Sequence, residues 1–275
     1  MTQLEYAKNN TLTALMKRIA RDEGLPPRQL LRRIREGRAV IPLNIKHSVK
    51  KPCGIGLGLR TKVNANIGTS TDKPRLDYEL KKLKVALNYG TDTVMDLSVG
   101  GPLKNIRRSI LKHSSVPVGT VPIYEIAVNA QKNKGTFLKF TSSDVLEALQ
   151  AQAEDGVDFF TIHSGVTKKS LATLKNTRRL LGIVSRGGAI LASWMHYNKK
   201  ENPFYEYFDR ILDIAYRYDI TLSLGDGLRP GSILDATDRP QIAEMQILGR
   251  LAGLARKKNV QVIIEGPGHV PLNQI

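Results

Sequence analysis

Seven short apolar runs of the sequence each end beside a hydrogen-bonding or ionisable side chain. In chain order these side chains are Asn66, Asp96, Tyr124, His163, Ser185 with Arg186, Asp226 with Arg229, and Glu265 with His269. The segment Ser185-Arg186-Gly187-Gly188 offers a hydroxyl, a cation and a closely approachable backbone, which suits a phosphate group. Glu265 and His269 could hold a polar substrate and a divalent metal. One histidine does not make a zinc site, so at least two more ligands would have to come from elsewhere.

Each of these residues also has a purely structural explanation. Asn66 can form a turn, and Met95, at the second run, can fill a core. Tyr124 and His163 can be buried rings with satisfied polar atoms. Asp226 and Arg229 can pair with each other across their loop. Packing alone hardly explains seven such positions at one edge of a fold, so we expect a ligand site there.

The elements that would position these residues alternate between short strands and amphipathic helices. Strands are predicted over 62–67, 93–97, 116–122, 157–163, 182–185, 220–224 and 260–265. Such alternation gives parallel strands with helices packed outside. The fold class that fits best is an α/β, (β/α)8 TIM-type barrel, typically about 250 residues long. A doubly wound open sheet is the runner-up, although the glycine fingerprint often found in that fold is absent. We therefore expect about seven of the eight strands of such a barrel.

Helical periodicity divides the remaining sequence. Residues 9–38 predict two basic helices, the second opened by Pro26 and Pro27. The glycine-rich residues 48–60 predict a turn or a short ribbon. Further helices are predicted over 76–89, 143–154 with a Ser142-Ser143 cap, 203–218, and 238–257 with Thr237 as its cap. We therefore expect a basic, mainly helical N-terminal segment over 1–60 and the barrel over 61–275.

The net charge and the cysteine content limit the classes of protein to which this sequence can belong. The net charge is +17, and residues 1–75 hold 16 Lys or Arg against 5 Asp or Glu. This basic segment leaves nucleic-acid binding as a less favoured alternative, because no zinc-finger spacing or aromatic RNA-binding motif accompanies it. No apolar stretch reaches membrane-spanning length, and no secretory signal begins the sequence. The single cysteine, Cys53, rules out an internal disulfide and fits a cytoplasmic protein.

Seven motifs at the strand ends resemble the phosphomethylpyrimidine synthase family of thiamine biosynthesis. They are NANIGTS (64–70), VMDLSVGG (94–101), GTVPIYE (119–125), DFFTIHSGV (158–166), VSRGGAILASWM (184–195), GDGLRPGSILDATD (225–238) and EGPGHVPLNQI (265–275). The resemblance runs from about residue 40 to residue 275. It implies the barrel fold and a radical S-adenosylmethionine lyase that rearranges 5-aminoimidazole ribotide to 4-amino-2-methyl-5-phosphomethylpyrimidine. The implied cofactors are a [4Fe-4S] cluster, S-adenosylmethionine, and zinc or another divalent metal.

The resemblance also implies residue roles. His269 would be one metal ligand, and the complete protein would be a homodimer. The implied substrate contacts are Asn66, Met95, Tyr124, His163, Ser185, Arg186, Gly187, Asp226, Gly227, Leu228, Arg229 and Glu265.

One departure from the family concerns the cluster. The family holds it with three cysteines in a C-x-x-C-x-x-x-x-C run, whereas this sequence has only Cys53. The second metal histidine and the eighth strand are also missing. We therefore expect a C-terminally truncated member that carries most of the substrate site without the cluster ligands. A non-catalytic ribotide- or phosphate-binding barrel is the alternative. A metal-dependent barrel lyase would fit the strand ends but not the order of the motifs.

Overall fold

A six-stranded parallel sheet forms the centre of the computed structural model, which describes residues 1–275. Its strands lie side by side in chain order: β3 (Asn64–Ile67), β4 (Thr93–Asp96), β5 (Val118–Thr120), β6 (Phe159–Ile162), β7 (Thr221–Leu224) and β8 (Val262–Ile264). Every neighbouring pair is parallel, and in register Asn66 lies beside Met95 and Met95 beside Gly119. The carboxyl ends of all six strands therefore meet at one edge of the sheet.

The predicted strand over 182–185 is wrong, so the sheet has six strands rather than seven. β6 pairs directly with β7, and the Gly225 N–H donates to the Ile162 carbonyl at 2.8 Å. These backbone groups leave no place for another strand between them. Val184 is exposed, and the run continues directly into a helix that Ser185 caps. Its β-branched residues had suggested a strand, but the neighbouring backbone pairing decides the outcome.

Helices link the strands and cover the sheet. After β3 they are α4 (Leu76–Asn88), α5 (Leu103–His113), α6 (Pro122–Lys134), α7 (Ser142–Asp155), α8 (Lys168–Ala172), α9 (Arg186–Asn198), α10 (Pro203–Glu206), α11 (Phe208–Tyr218) and α12 (Arg239–Lys257). Apolar side chains from these helices and from the strands form one cluster of 38 buried residues. Burial of this size is the main stabilising contribution to the fold.

Two helix caps differ from the predicted ones. Thr141, not Ser142 or Ser143, caps α7, and it forms a reciprocal capping box with Asp144. Asp238, not Thr237, caps α12 by accepting from the Gln241 N–H. The helix predicted over 203–218 is divided into α10 and α11, because the backbone leaves helical geometry at Tyr207. In each case the prediction found the helix and misplaced its boundary by a few residues.

The two basic helices predicted over residues 9–38 are present as α2 (Ala14–Asp22) and α3 (Pro27–Arg35), and a further helix, α1 (Gln3–Lys8), precedes them. Pro27 does open the last of these, as predicted. A second cluster of 10 buried apolar residues, from Leu4 to Ile41, holds them together. The predicted short ribbon is present, since β1 (Ala39–Val40) pairs antiparallel with β2 (Ile55–Gly56). The domain division after residue 60 stays a prediction.

No helix in this chain is both long enough and apolar enough to cross a lipid bilayer.

Candidate functional site at the carboxyl ends of the strands

The site residues predicted from the sequence lie at or just after the carboxyl ends of the six strands, or at the start of α9. We call this edge the rim. In parallel α/β folds this edge builds the binding site, since the loops that follow the strands gather there. At the first two strands, Asn66 is exposed and its Oδ1 accepts from Asn64 Nδ2 at 2.8 Å. Met95 is half-buried beside it.

Tyr124 and Arg186 meet at the rim although 62 positions separate them in the sequence. Tyr124 stands in the first turn of α6, which Pro122 opens. The Arg186 guanidinium lies over its ring at 5.2 Å from the centroid, a cation–π geometry. Burial raises the pKa of the Tyr124 hydroxyl, while the charges of Arg186 and Arg229 oppose that rise. The exposed Arg186 side chain is therefore already directed toward the rim.

His163 is the most deeply buried imidazole of the site. Its ring lies against the backbone of Gly187, where a Cβ would come within 2.3 Å of the imidazole Cε1. Its Nδ1 is buried and has no hydrogen-bond partner. Burial, and then the charge of Arg229, lower the pKa of His163 to about 4. The ring is therefore neutral at physiological pH and keeps one polar atom unused.

Ser185, Gly187 and Gly188 form the N-terminus of α9. Ser185 is buried, and its Oγ accepts from the Gly188 N–H at 3.1 Å. The predicted phosphate-binding hydroxyl thus serves as the helix cap, although its own proton can still be donated. The first N–H groups of a helix favour an anion, so the neighbouring amides and Arg186 suit a phosphate.

Asp226 and Arg229 contact each other, as the structural explanation of this loop had suggested. Arg229 Nη1 donates to Asp226 Oδ1 at 3.0 Å. Burial raises the pKa of Asp226, and the Arg229 charge opposes this rise. Between them, Gly227 fits tightly, since a Cβ there would lie 2.3 Å from Val166 Cγ2. Leu228 is fully buried, backbone as well as side chain, so it presents no exposed surface to a ligand in this structure.

Two hydroxyls that the sequence analysis missed orient Glu265. Thr161 and Ser223 donate to Glu265 Oε1 at 2.9 and 2.8 Å. Burial raises the pKa of the Glu265 carboxyl, and the two hydroxyls counteract that rise. Thr161 lies on β6, two residues before His163, which directly follows that strand. Because alternate residues of a strand face the same side, period-two reasoning from His163 would have found it.

His269 lies at the end of a loop that folds back onto Pro230. The His269 N–H donates to the Pro230 carbonyl at 3.1 Å, and the ring Nδ1 is 3.3 Å from the same oxygen. No group of three or more His, Cys, Asp or Glu side chains in this chain is arranged to hold a metal ion. His269 is therefore available as a single ligand, and the residues present do not form a zinc site on their own.

The single thiol does not fit an iron–sulfur cluster at the rim. Cys53 is buried, and burial raises the pKa of its thiol to about 12. Its charged neighbours include Asp92 and Asp158, which precede β4 and β6 at the opposite edge of the sheet. A [4Fe-4S] cluster requires thiolates, and those of the family's three-cysteine run are not among these residues.

These features define an α/β protein whose strand-end site suits a phosphorylated polar ligand. The model of the Radical SAM ThiC family matches residues 2–275, and the chain belongs to that family. It is 56% identical over all 275 residues to a phosphomethylpyrimidine synthase of Thermodesulfovibrio yellowstonii. Identity to the enzymes of that name from Moorella thermoacetica and Caldanaerobacter subterraneus is 54% and 53%.

The whole chain aligns with each of these relatives but spans only 64% of their length. The family resemblance of the sequence motifs is thereby confirmed, and with it the placement in an enzyme family of thiamine pyrimidine biosynthesis.

Proposed function

We propose that this chain provides the ribotide-binding rim of a phosphomethylpyrimidine synthase. The reaction would convert 5-aminoimidazole ribotide to 4-amino-2-methyl-5-phosphomethylpyrimidine. The observation that carries this proposal is the convergence at one rim of a neutral imidazole, a carboxylate and two arginines: His163, Glu265, Arg186 and Arg229. Such a set matches a ligand with a phosphate at one end and a polar heterocycle at the other.

The residues divide by chemistry. Arg186 and the amides of Gly187 at the start of α9 would bind the phosphate. Asp226 and Glu265 would accept hydrogen bonds from ribose hydroxyls or from the exocyclic amine. His163, with its unused Nδ1, would bind the heterocycle as a neutral group. The contact surface would be completed by Asn66, Met95, Tyr124, Ser185, Gly227 and Arg229, with the buried Leu228 directly behind it.

We infer that the sheet belongs to a (β/α)8 barrel. Its six strands are parallel and follow chain order without the reversal that defines a doubly wound sheet, which supports the barrel over that alternative. A homodimer and a cytoplasmic location complete the proposal, together with zinc or another divalent metal at His269. When bound, the cluster and S-adenosylmethionine would supply the radical chemistry, whereas the residues present here bind and orient the ribotide.

Calorimetric titration of the chain with 5-aminoimidazole ribotide tests the proposal. We expect saturable one-to-one binding, and weaker binding of the unphosphorylated riboside because Arg186 and the α9 amides lose their partner. Ribose 5-phosphate would serve as a control that keeps the phosphate and removes the heterocycle. Equal affinity for ribotide and riboside, or no binding of either, would contradict the proposal.

A non-catalytic ribotide-binding role is the second candidate, and the position of Cys53 favours it for this chain. Anaerobic incubation with iron and sulfide should give no brown cluster absorbance and no cleavage of S-adenosylmethionine, because the one thiol is buried away from the rim. Cluster formation together with turnover would rule this candidate out and support the enzyme.

A further inference from the structure

The backbone of Leu228 is held from two sides at the middle of the rim loop. Its N–H donates to Glu244 Oε2 at 2.7 Å. Its carbonyl accepts from Arg179 Nη2. We call these two contacts the Leu228 clamp. Leu228 lies between Asp226 and Arg229, so the clamp fixes the peptide groups that join these two site residues.

Glu244 reaches this backbone from α12, and two glycines make room for it. A Cβ at Gly165 would lie 2.6 Å from Glu244 Cγ, and one at Gly227 would lie 3.2 Å from Oε1. The residue is only 2% exposed, and its second oxygen, Oε1, has no hydrogen-bond partner. A carboxyl is costly to bury, so its single strong contact to Leu228 needs an explanation beyond packing.

Arg179 completes the clamp from a different segment. Its side chain is 3% exposed, and its Nε and Nη2 form a bidentate pair with the Asp238 carboxylate at 2.5 and 2.9 Å. Asp238 is also the cap of α12. Both halves of the clamp therefore rest on the same helix, Glu244 within it and Arg179 through its cap, so one rigid element sets both contacts.

The side chains on either side of the clamp have few other constraints. Arg229 Nη1 contacts only the carboxylate and the carbonyl of Asp226, at 3.0 and 3.3 Å. A rotation of the Leu228 backbone would move this pair as a unit. We propose that Glu244 and Arg179 are positioning residues that hold Leu228 so that Asp226 and Arg229 face the ribotide. This inference rests on the proposed function of the rim.

Comparing alanine with glutamine at position 244 separates a role in positioning the Leu228 backbone from a role in the stability of the whole fold. Glu244→Ala removes the acceptor for the Leu228 N–H, whereas Glu244→Gln keeps an acceptor oxygen in the same place. Burial raises the pKa of Glu244 to about 8, so the native group is largely uncharged at pH 7 and glutamine is a close substitute. We expect the affinity for 5-aminoimidazole ribotide to fall about 10- to 100-fold in the alanine variant and to stay within about threefold in the glutamine variant.

Asp219→Ala is the matched control. Asp219 is also a buried carboxyl that accepts one backbone N–H, from Gln3 at 2.9 Å, but it precedes β7 at the other edge of the sheet. It should lower the melting temperature and leave the ribotide affinity unchanged. If Glu244→Ala does not fold, Arg179→Met provides the same test, because it removes the donor to the Leu228 carbonyl.

Amide hydrogen exchange provides the readout that does not depend on ligand. In the ligand-free chain, Glu244→Ala should speed exchange at Leu228 and Arg229, and glutamine should restore slow exchange. The clamp would be overturned if both Glu244→Ala and Arg179→Met bound the ribotide with wild-type affinity, or if amide exchange at Leu228 and Arg229 did not change. Neither result would contradict the proposed function. A wild-type chain that does not bind the ribotide would instead overturn the proposed function, and the clamp's role in it.

Discussion

The two edges of the parallel sheet both bury ionisable side chains, but they treat them differently. At the amino-terminal edge, Asp158 is fully buried and its oxygens accept from Asn44 N–H, Val118 N–H and the His47 ring at 2.7 to 2.9 Å. At the rim, His163 has a buried Nδ1 without any partner. The buried carboxyl at the amino-terminal edge is fully hydrogen-bonded, whereas the buried imidazole at the rim keeps one polar atom unused.

This difference separates stability from binding. A buried polar group that is fully hydrogen-bonded ties segments together, here the chain before β2 to β5 and β6. A buried polar group without a partner costs free energy in the free protein and recovers it when a ligand supplies the partner. We therefore expect substitutions at the amino-terminal edge to act on folding and substitutions at the rim to act on ribotide binding.

The largest effect should follow from Asp158→Ala. It leaves two buried backbone N–H groups and the His47 ring without an acceptor, which should lower the free energy of unfolding by about 3–5 kcal/mol. Urea denaturation measures this loss. Asp213→Ala, which removes an exposed carboxylate paired with Lys258, should change it by less than about 0.5 kcal/mol. Equal effects of the two substitutions would contradict the assignment of stability to this edge.

The next largest effect is a pH dependence caused by His163. Its pKa is about 4 in the folded chain against 6.5 as an ordinary histidine. Between these values the unfolded chain binds a proton that the folded chain does not, so stability falls as the pH falls. The full loss is about 3 kcal/mol. The unfolding free energies of wild type and His163→Gln should be measured from pH 7 to pH 4. The wild-type value relative to the variant should fall as the pH falls, and a difference that does not change with pH would refute the prediction.

The alternation of strands and helices predicted all six parallel strands and four of the five connections between them, because that alternation is local. The strand prediction failed at residues 182–185, where pairing between distant strands determines the structure. The β-branched run at Ile183 and Val184 had strand character, yet β6 and β7 use each other's backbone groups. The split at Tyr207 and the caps at Thr141 and Asp238 depend on single backbone angles, which apolar periodicity does not encode.

The rim could be predicted because parallel strands bring their carboxyl ends to one edge of the sheet. The residues that follow each strand could therefore be chosen as site candidates from the sequence. What the sequence could not give is the second layer of contacts. Glu244 and Arg179 stand in helical or loop sequence with no motif around them, and only folding brings them to Leu228. The use of Ser185 Oγ as a helix cap was equally invisible, since Ser-Arg-Gly-Gly suits a phosphate loop and a helix start alike.

A smaller effect, on binding alone, should follow from Arg186→Ala. The Arg186 side chain is exposed and lies over Tyr124, so its loss should hardly change the melting temperature. Ribotide affinity should fall by about 1.5–3 kcal/mol, the range for a hydrogen bond to a charged group. Arg28→Ala removes an equal charge from an exposed position on α3 and should leave affinity unchanged. Equal losses in both variants would indicate nonspecific attraction.

The smallest effect should be a pH dependence of opposite sign at the other edge. Burial alone would lower the pKa of His47, but the hydrogen bond and charge of Asp158 outweigh it, and the pKa is raised above 6.5. The folded chain then holds its proton more tightly than the unfolded chain. The resulting stabilisation is complete below pH 6.5 and disappears as the pH rises through the folded pKa. The stability difference between wild type and His47→Gln should therefore shrink from pH 6 to pH 9. A difference that grew over this range would mean that the imidazole at the amino-terminal edge is held neutral, as His163 is at the rim.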